Sequence, residues 1–297
     1  MEPSLVLAKF DSLIEKGLVF YDDEQQTVEL VDQGLKFQFI ITYALANKPT
    51  FQVAASQSNN AEKLPDQERV ESDINTTGYE ICDSAATHLV AANKFCFARP
   101  HLMILTHDAN KRQYESLKLD DWQAIGQVLV NMGEEYIAFF NCGQDGGCSR
   151  LHKHMQLIPK PKSSFAAFLD TEGGIEPDVP FQWFHHRFND ALIYPTELLF
   201  IYQKLLWEAT EVGKGLFEHA DSLPAGAAVP HNVLVTNRWM VVIPRRQAGV
   251  DKVAGANAIG MIGVIPVASS EEIGIWEQIG PANVLRKLGV PNTRWCY

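Results

Sequence analysis

The chain has 297 residues, a net charge of −11 and an apolar content of 46%. This length allows a substantial buried core, in one large domain or in two packed halves. The acidic balance argues against a nucleic-acid scaffold, which would normally be basic. The five cysteines are odd in number and show no Cys-x-x-Cys spacing. This usage indicates a reducing compartment, with neither a disulfide framework nor a zinc ribbon.

Nothing in the sequence predicts insertion into a membrane. No apolar run approaches the roughly 20 residues of a transmembrane helix. Residues 1–4 lack the basic and apolar regions with which a signal peptide begins. We therefore expect a soluble protein of the cytoplasm, with the nucleus as a second location.

The N-terminal half shows the patterns of two helices and three short strands. Ser4 is expected to cap the first helix, which ends at Gly17. Asp120 or Asp121 is expected to cap the second helix, whose apolar residues continue to Tyr136 along one face. The predicted strands lie at 36–41, 87–93 and 101–106.

The stretch 141–159 combines a glycine-rich turn with a histidine-bearing strand. The strand is predicted from Leu151 to Pro159, where the proline ends the ladder. Because side chains alternate along a strand, three polar residues share one face. These residues are His152, His154 and Gln156. Two imidazoles and an amide are poorly suited to a buried apolar core, so this face of the strand is predicted to be a reactive one. Structural histidines and a metal pair in i, i+2 spacing remain open alternatives.

Positive charge gathers around this turn in an otherwise acidic chain. From Gly146 to Leu169 there is no acidic residue, but there are four basic ones. They are Arg150, Lys153, Lys160 and Lys162. Glycine amides beside local positive charge form an anion-binding concavity of the kind used for phosphates. A neutral imidazole in such a place can attack phosphorus when a hydrogen bond holds its other nitrogen.

The C-terminal part shows a helix, a hairpin and further short elements. Thr196 is expected to open the helix, and the aromatic stretch 181–188 before it is expected to pack and to form a rim. Two apolar runs separated by Asn237-Arg238 predict a β-hairpin. The remaining predicted elements are a strand at 261–267 and helices at 270–280 and 282–288.

The segment His152-Lys153-His154-Met155-Gln156 resembles the His-x-His-x-Gln motif of the transferase branch of the histidine-triad superfamily. The hydrolase branch has a third histidine in place of Gln156. The wider pattern, Asn-x-Gly before Gly-x-Ser-x-x-His-Lys-His-x-Gln, is similar to that of the diadenosine tetraphosphate phosphorylases, or ATP adenylyltransferases. The resemblance covers nearly the whole chain and is strongest at 87–107, 139–160 and 229–291.

This resemblance implies a fold and a division into domains. The implied fold class is α+β, with a histidine-triad-like antiparallel sheet flanked by helices and extended by a C-terminal α+β half. The implied N-terminal domain, at 1–215, carries the His-x-His-x-Gln motif. The implied C-terminal ATP adenylyltransferase domain spans 216–297.

The resemblance also assigns roles to residues. His154 is the implied nucleophile, His152 orients its neighbours or contacts the leaving phosphates, and Gln156 donates to the phosphoryl oxygens. The implied substrate-binding residues are Lys48, Asn93, Lys94, Asn141, Gly147, Cys148, Ser149, Arg150, Asn232 and Thr236. The Asn-Pro-Phe-like segment of the family is not found, so no residue is assigned to adenine.

The implied activity is phosphorolysis of diadenosine tetraphosphate to ATP and ADP through an adenylyl-histidine intermediate. The reverse reaction and ADP formation from adenylyl sulfate are further implied activities. The expected partners are a dinucleoside polyphosphate, ATP, ADP and inorganic phosphate, with no nucleic acid and no membrane. A divalent cation, Mg²⁺ or Mn²⁺, is compatible with this chemistry, although no protein metal site is evident.

Three alternatives remain from the sequence. A hydrolase of the same superfamily would have a histidine at position 156. A non-catalytic nucleotide-binding protein would keep the glycine turn without needing His154. A hexose-1-phosphate uridylyltransferase relative would show a Cys/His metal spacing that is not found here.

Overall fold

The computed structural model describes residues 2–46, 72–189, 194–216, 224–250 and 253–295. The strands in these ranges are β1 (Gln26–Asp32), β2 (Leu35–Ile41), β3 (Glu80–Ser84), β4 (His88–Ala92), β5 (Leu102–Thr106), β6 (Tyr136–Cys142), β7 (His154–Pro159), β8 (Phe184–Arg187), β9 (His231–Val235), β10 (Trp239–Pro244) and β11 (Val264–Val267). The helices are α1 (Pro3–Glu15), α2 (Tyr43–Ala46), α3 (Leu119–Met132), α4 (Pro195–Gly213), α5 (Ala258–Met261), α6 (Ser270–Ile279) and α7 (Pro281–Leu288), with short 3₁₀ segments at Phe165–Asp170 and Thr293–Trp295. Within the described ranges, no helix combines the length and apolar character needed to cross a membrane.

The strands form two sheets. The larger sheet has the order β3-β4-β5-β7-β6-β9-β10-β8, and all its pairs are antiparallel. The smaller sheet has the order β1-β2-β11, with β11 parallel to β2. The α+β class and the antiparallel sheet predicted from the sequence are therefore confirmed. The pairing of β6 with β9 places Asn141 opposite Asn232. One sheet thus includes strands from both sides of the boundary predicted at residue 215, and the division into domains stays a prediction.

The two faces of the larger sheet bury separate cores. One face packs against α1, α3 and α4, with Phe10, Trp122 and Tyr202 among its buried residues. The other face packs against the smaller sheet and against α5, α6 and α7. In β7, Met155 and Leu157 face the first core, as the alternation of strand side chains requires. His154 and Gln156 are consequently on the face that looks toward the second core.

Both predicted N-cap positions are wrong, although both helices exist. α1 begins at Pro3, since proline has the φ of a first helical residue and needs no partner for an N–H. Ser4 Oγ donates to Glu2 Oε1 (2.8 Å). α3 follows Lys118, and Asp121 is its third residue, whose carboxylate accepts the Lys118 N–H (2.6 Å). Asp121 therefore satisfies the helix end from inside the first turn.

The predicted strand at 261–267 is shorter than expected. Met261 ends α5, and β11 begins only at Val264. Gly263 between them has φ +87°, and a Cβ atom there would lie 2.6 Å from the Phe165 ring. The chain turns sharply at this glycine, so the regular strand starts after it.

Candidate active site

His154 is the first residue of β7, and hydrogen bonds hold both its ring and its backbone. Its Nδ1 atom lies 2.8 Å from the carbonyl oxygen of His152. Because a carbonyl oxygen can only accept, Nδ1 carries a proton, and in the neutral form of the ring Nε2 then carries the lone pair. The backbone N–H of His154 donates to Gln113 Oε1 (2.7 Å). The ring is buried, with 6% of the residue exposed.

Gln113 holds β6 and β7 together where their regular pairing stops. The last paired residues are Phe139 and Gln156. Beyond them the Gln113 amide donates to the carbonyl oxygens of Asn141 and His154, both at 3.0 Å. Gln113 could not be predicted from the sequence, because no motif marks a single glutamine in a loop. In the structure, the burial of this polar side chain indicates its role.

His152 precedes β7, although the predicted strand began at Leu151. It forms an isolated bridge with Arg112, because residues 151–153 pair with the loop at 111–113. Its Nδ1 atom lies 2.6 Å from Ser72 Oγ, and its Nε2 atom lies 3.0 Å from Thr106 Oγ1. Burial lowers the pKa of this imidazole below its ordinary value. The side chain is thus a neutral ring held at both nitrogens, while its carbonyl orients His154.

Asp73 secures the chain just before the two histidines. Its Oδ2 atom accepts the backbone N–H of Leu151 (2.7 Å), and its Oδ1 atom accepts that of His152 (2.8 Å). A carboxylate that accepts two backbone N–H groups fixes the course of the main chain. No motif in the sequence marks Asp73 for this role.

The third motif residue, Gln156, lies beside two residues of the β4–β5 connection. Its Oε1 atom is 2.9 Å from His101 Nε2 and 3.4 Å from Asn93 Nδ2. His101 is 2% exposed. The predicted residues Gln156 and Asn93 therefore come together, and the structure adds His101, which sequence analysis used only to mark the start of a strand.

The glycine turn is compact and closes on itself. A Cβ atom at Gly146 would lie 2.2 Å from the Cys142 carbonyl oxygen, and one at Gly147 (φ +85°) would lie 2.9 Å from the Ala256 carbonyl oxygen. The Gly147 N–H donates to the Gln144 carbonyl (2.8 Å), and the Cys148 N–H donates to that of Gly143 (3.3 Å). Two of the predicted phosphate-binding amides are thus engaged within the turn. Burial raises the pKa of the Cys148 thiol to about 12, so the thiol is neutral at pH 7.

Three buried polar residues hold the glycine turn through hydrogen bonds. Asn232 donates to Asn141 Oδ1 (3.0 Å) and to the Gly146 carbonyl (2.7 Å). Asn141 Oδ1 also accepts the Ala258 N–H (2.9 Å). Arg245 donates to the Asn232 side chain and to the Gly146 carbonyl. The predicted residues Asn141 and Asn232 therefore support the turn, and their contact with substrate stays a prediction.

Arg245 is a fully buried cation that sequence analysis missed. In addition to Asn232 and Gly146, its guanidinium donates to the carbonyl oxygens of Gln247 (2.9 Å) and Ala256 (2.8 Å). Burial lowers the pKa of this group to about 9. These hydrogen bonds connect the glycine turn to Gln247 and Ala256 through Arg245, so the two predicted halves are linked next to the site.

A second buried charge cluster lies on the opposite face of the motif. Lys153, which stands between the two histidines, places Nζ 2.6 Å from Asp121 Oδ2. His88 Nε2 lies 3.1 Å from Asp121 Oδ1, and Lys153 also donates to the Ser116 carbonyl (2.8 Å). Burial alone would raise the pKa of the Asp121 carboxyl, but His88 and Lys153 hold it below its ordinary value. This cluster ties the motif to the first turn of α3.

The other predicted site residues have different surroundings. Lys94 is exposed, and its ammonium lies 5.7 Å and 5.6 Å from the ring centroids of Phe20 and Phe95. Thr236 lies in the β9–β10 turn, at the end of β9 away from Asn232, and accepts backbone N–H groups with its hydroxyl. Ser149 is half-buried and Arg150 is exposed. The predicted residue Lys48 lies outside the described residues. The described residues contain no group of three or more His, Cys, Asp or Glu side chains that could hold a metal ion.

Two family models match this chain. The Ap4A phosphorylase N-terminal domain matches residues 14–170, which is more than half of the chain. The chain belongs to the Ap4A phosphorylase family. The ATP adenylyltransferase C-terminal domain matches residues 177–291. As the motif predicted, this family member is a nucleotidyltransferase, and its reaction is phosphorolysis of diadenosine tetraphosphate (Ap4A).

Similar proteins from yeast agree with this membership. Diadenosine 5',5'''-P1,P4-tetraphosphate phosphorylase 2 of Saccharomyces cerevisiae is 25% identical, over 84% of this chain and 82% of the relative. Protein APA1 of the same yeast is 24% identical, over 68% of each chain. The crystal structure of yeast Ap4A phosphorylase Apa2 has a TM-score of 0.72 at 21% identity and covers 99% of both chains. Apa2 in complex with Ap4A gives a TM-score of 0.71 at 21% identity, again over 99% of both chains. At this identity the structures show a common fold.

Proposed function

We propose that this Ap4A phosphorylase family member works by two displacements at the α-phosphorus, with His154 as the covalent carrier of the adenylyl group. Nε2 of His154 attacks the α-phosphorus of Ap4A, the bond to the bridging oxygen breaks, and ATP leaves. An oxygen of inorganic phosphate then attacks the adenylyl-histidine, the P–N bond breaks, and ADP leaves. The electron pair of that bond returns to Nε2, so the enzyme is regenerated.

The observation that carries this proposal is the hydrogen bond from Nδ1 of His154 to the His152 carbonyl (2.8 Å). It places the proton on Nδ1 and so directs the lone pair onto Nε2. When Nε2 bonds to phosphorus, the ring becomes positively charged, and the carbonyl dipole stabilises that charge. A histidine held in this way is ready for attack without first changing its tautomer.

Three of the residues proposed to contact the phosphates, Gln156, Ser149 and Arg150, lie close to this histidine in sequence. Gln156 lies two residues further along the same face of β7, and Ser149 leads from the glycine turn toward the motif. Arg150 and Lys94 are exposed cations that can meet the anionic polyphosphate. Preorganised donors of this kind are worth about 100- to 1,000-fold in rate each. A divalent cation, Mg²⁺ or Mn²⁺, would arrive on the polyphosphate rather than on a protein site.

Gln156 favours transfer to phosphate over hydrolysis. An amide cannot act as a general acid or base near neutral pH, whereas a histidine can. Without such a group the adenylyl-histidine persists until phosphate arrives. Ap4A and nucleotides are therefore the proposed ligands, with phosphate as the second substrate. The structure of yeast Apa2 in complex with Ap4A supports the choice of substrate.

Product analysis tests this function. The purified chain is incubated with Ap4A, with and without phosphate, and the nucleotides are separated by ion-exchange chromatography. We expect ATP and ADP in equal amounts only when phosphate is present. A catalytic release of AMP and ATP without phosphate would place the chain among the hydrolases.

A further inference from the structure

Gln156, Asn93 and His101 bring three polar atoms into one small triangle. The distances are 2.9 Å from His101 Nε2 to Gln156 Oε1, 3.4 Å from Asn93 Nδ2 to Gln156 Oε1, and 3.2 Å between the two nitrogens. We propose that Asn93 and His101 are positioning residues that fix the Gln156 amide with its NH₂ group directed to the transferring phosphoryl group. This inference rests on the proposed function, because it assigns the donor for that reaction.

The orientation of Asn93 follows from its other partner. The backbone N–H of Phe95 donates to Asn93 Oδ1 (3.1 Å). A carbonyl oxygen is therefore required at that end, and the NH₂ group faces the triangle. Asn93 is thus a donor there, and it needs an acceptor on Gln156 or on His101.

The Gln156 oxygen is the acceptor best suited to this triangle. An amide oxygen has two lone pairs and can accept from Asn93 and His101 together, whereas an imidazole nitrogen has one. Oε1 of Gln156 consequently receives both donors, and the NH₂ group is turned away from them. Among the residues described, no acceptor is bonded to Gln156 Nε2. The NH₂ group therefore keeps its donors for the substrate.

The surroundings of His101 make it a rigid support. The residue is 2% exposed, and its ring meets the Phe97 ring edge-on, with centroids 4.9 Å apart and planes at 70°. The Phe139 ring lies 6.3 Å away, in the residue that pairs with Gln156 across the sheet. An amide held by fixed donors needs no reorganisation when charge develops on the phosphoryl oxygens. Without His101, the amide could rotate and present its oxygen to the substrate.

A double-mutant cycle separates positioning from a merely structural role. His101→Phe keeps a flat ring but removes the N–H group. We expect it to lower kcat about 10- to 100-fold with little change in KM, which is less than the cost of losing the donor outright. In a Gln156→Ala background, where no amide remains to be oriented, the same change should cost under about three-fold. The matched control is His107→Phe, because His107 is exposed at the end of the same hairpin and should change nothing.

The side-chain NH₂ resonances of Gln156 give a readout that does not depend on activity. They are assigned by their absence in Gln156→Ala. We expect His101→Phe to shift them and His107→Phe to leave them in place. Unshifted resonances in His101→Phe, or equal kinetic penalties in both backgrounds, would overturn the proposal. If the wild-type chain forms no ATP from Ap4A, the proposed function fails, while the resonances still decide how Gln156 is held.

Discussion

The buried ion pair between Lys153 and Asp121 joins the histidine motif to the first turn of α3. Their charged atoms are 2.6 Å apart, with 2% and 4% of the side chains exposed. Removing one partner of such a pair leaves a buried charge and typically costs about 3–5 kcal/mol. Asp121→Leu leaves the Lys153 ammonium buried without its carboxylate partner, so we expect a loss of folding stability at the upper end of that range. Lys153→Met should cost less, because Asp121 keeps His88 and the Lys118 N–H.

The double variant provides the internal control. Asp121→Leu with Lys153→Met removes both charges, and an apolar replacement of a buried pair is often close to neutral. We expect it to recover most of the lost stability, so that the two single penalties do not add. The measurement is the free energy of unfolding from urea denaturation followed by tryptophan fluorescence and circular dichroism. Additive penalties, or an Asp121→Leu cost under about 1 kcal/mol, would refute a tightly coupled buried pair.

The effect of pH on the stability difference between wild type and Asp121→Leu has a defined direction. The folded pKa of Asp121 is below its ordinary value, so its carboxylate stabilises the fold fully above the unfolded pKa of about 4. That contribution is lost as the pH falls through the lowered folded value. The stability difference between wild type and Asp121→Leu should therefore shrink as the pH falls below about 4.

Two further predictions concern the turn and its donors. Gly147→Ala should destabilise the fold by more than the roughly 1–2 kcal/mol of a positive φ and should reduce kcat/KM. Gly78→Ala, which has the same φ of +85° but open space at its Cβ position, should cost the backbone strain alone; equal melting temperatures of the two variants would contradict a close contact with Ala256. Ser149→Ala and Lys94→Ala should each lower kcat/KM for Ap4A by about 100- to 1,000-fold, as for a lost transition-state donor, and wild-type kinetics in both folded variants would place these residues outside the site.

The sequence predicted the elements with strong local patterns. The longer helices α1, α3, α4, α6 and α7, the hairpin of β9 and β10, and the strand that carries His154 and Gln156 follow from periodicity and turn residues. The one-turn helices α2 and α5 were not predicted, and α3 ends at Met132, so Tyr136 begins β6 rather than extending the helix. The cap predicted at Ser4 was wrong, because α1 begins at Pro3 and Glu2 is its N-cap. The N-cap predicted at Asp120 or Asp121 was misplaced, because Lys118 is the N-cap and Asp121 completes a capping box from the third helical position. The parallel pairing of β11 with β2 depends on the sheets as a whole, which no local pattern encodes.

The supporting residues of the site could not be predicted from spacing. Gln113, His101 and Arg245 come from three separate connections and meet the motif only in the folded chain. A buried polar side chain gives no periodic signal, since its partners lie far away in sequence. The motif predicted His152 and His154 because both stand in one short segment. The residues that hold the motif in place could be identified only from distances in the structure.

The exchange of labelled phosphate into ADP tests the central claim most directly. If His154 carries the adenylyl group, each half-reaction runs without the other substrate, so enzyme, ADP and labelled phosphate without ATP should give ADP labelled at its β-phosphate. His154→Asn should abolish this exchange while it still binds ADP. The trapped adenylyl group should survive alkali and be released in acid, as expected for a bond from phosphorus to nitrogen. A wild-type chain that phosphorolyses Ap4A without any exchange would contradict the covalent intermediate and leave His154 a binding residue.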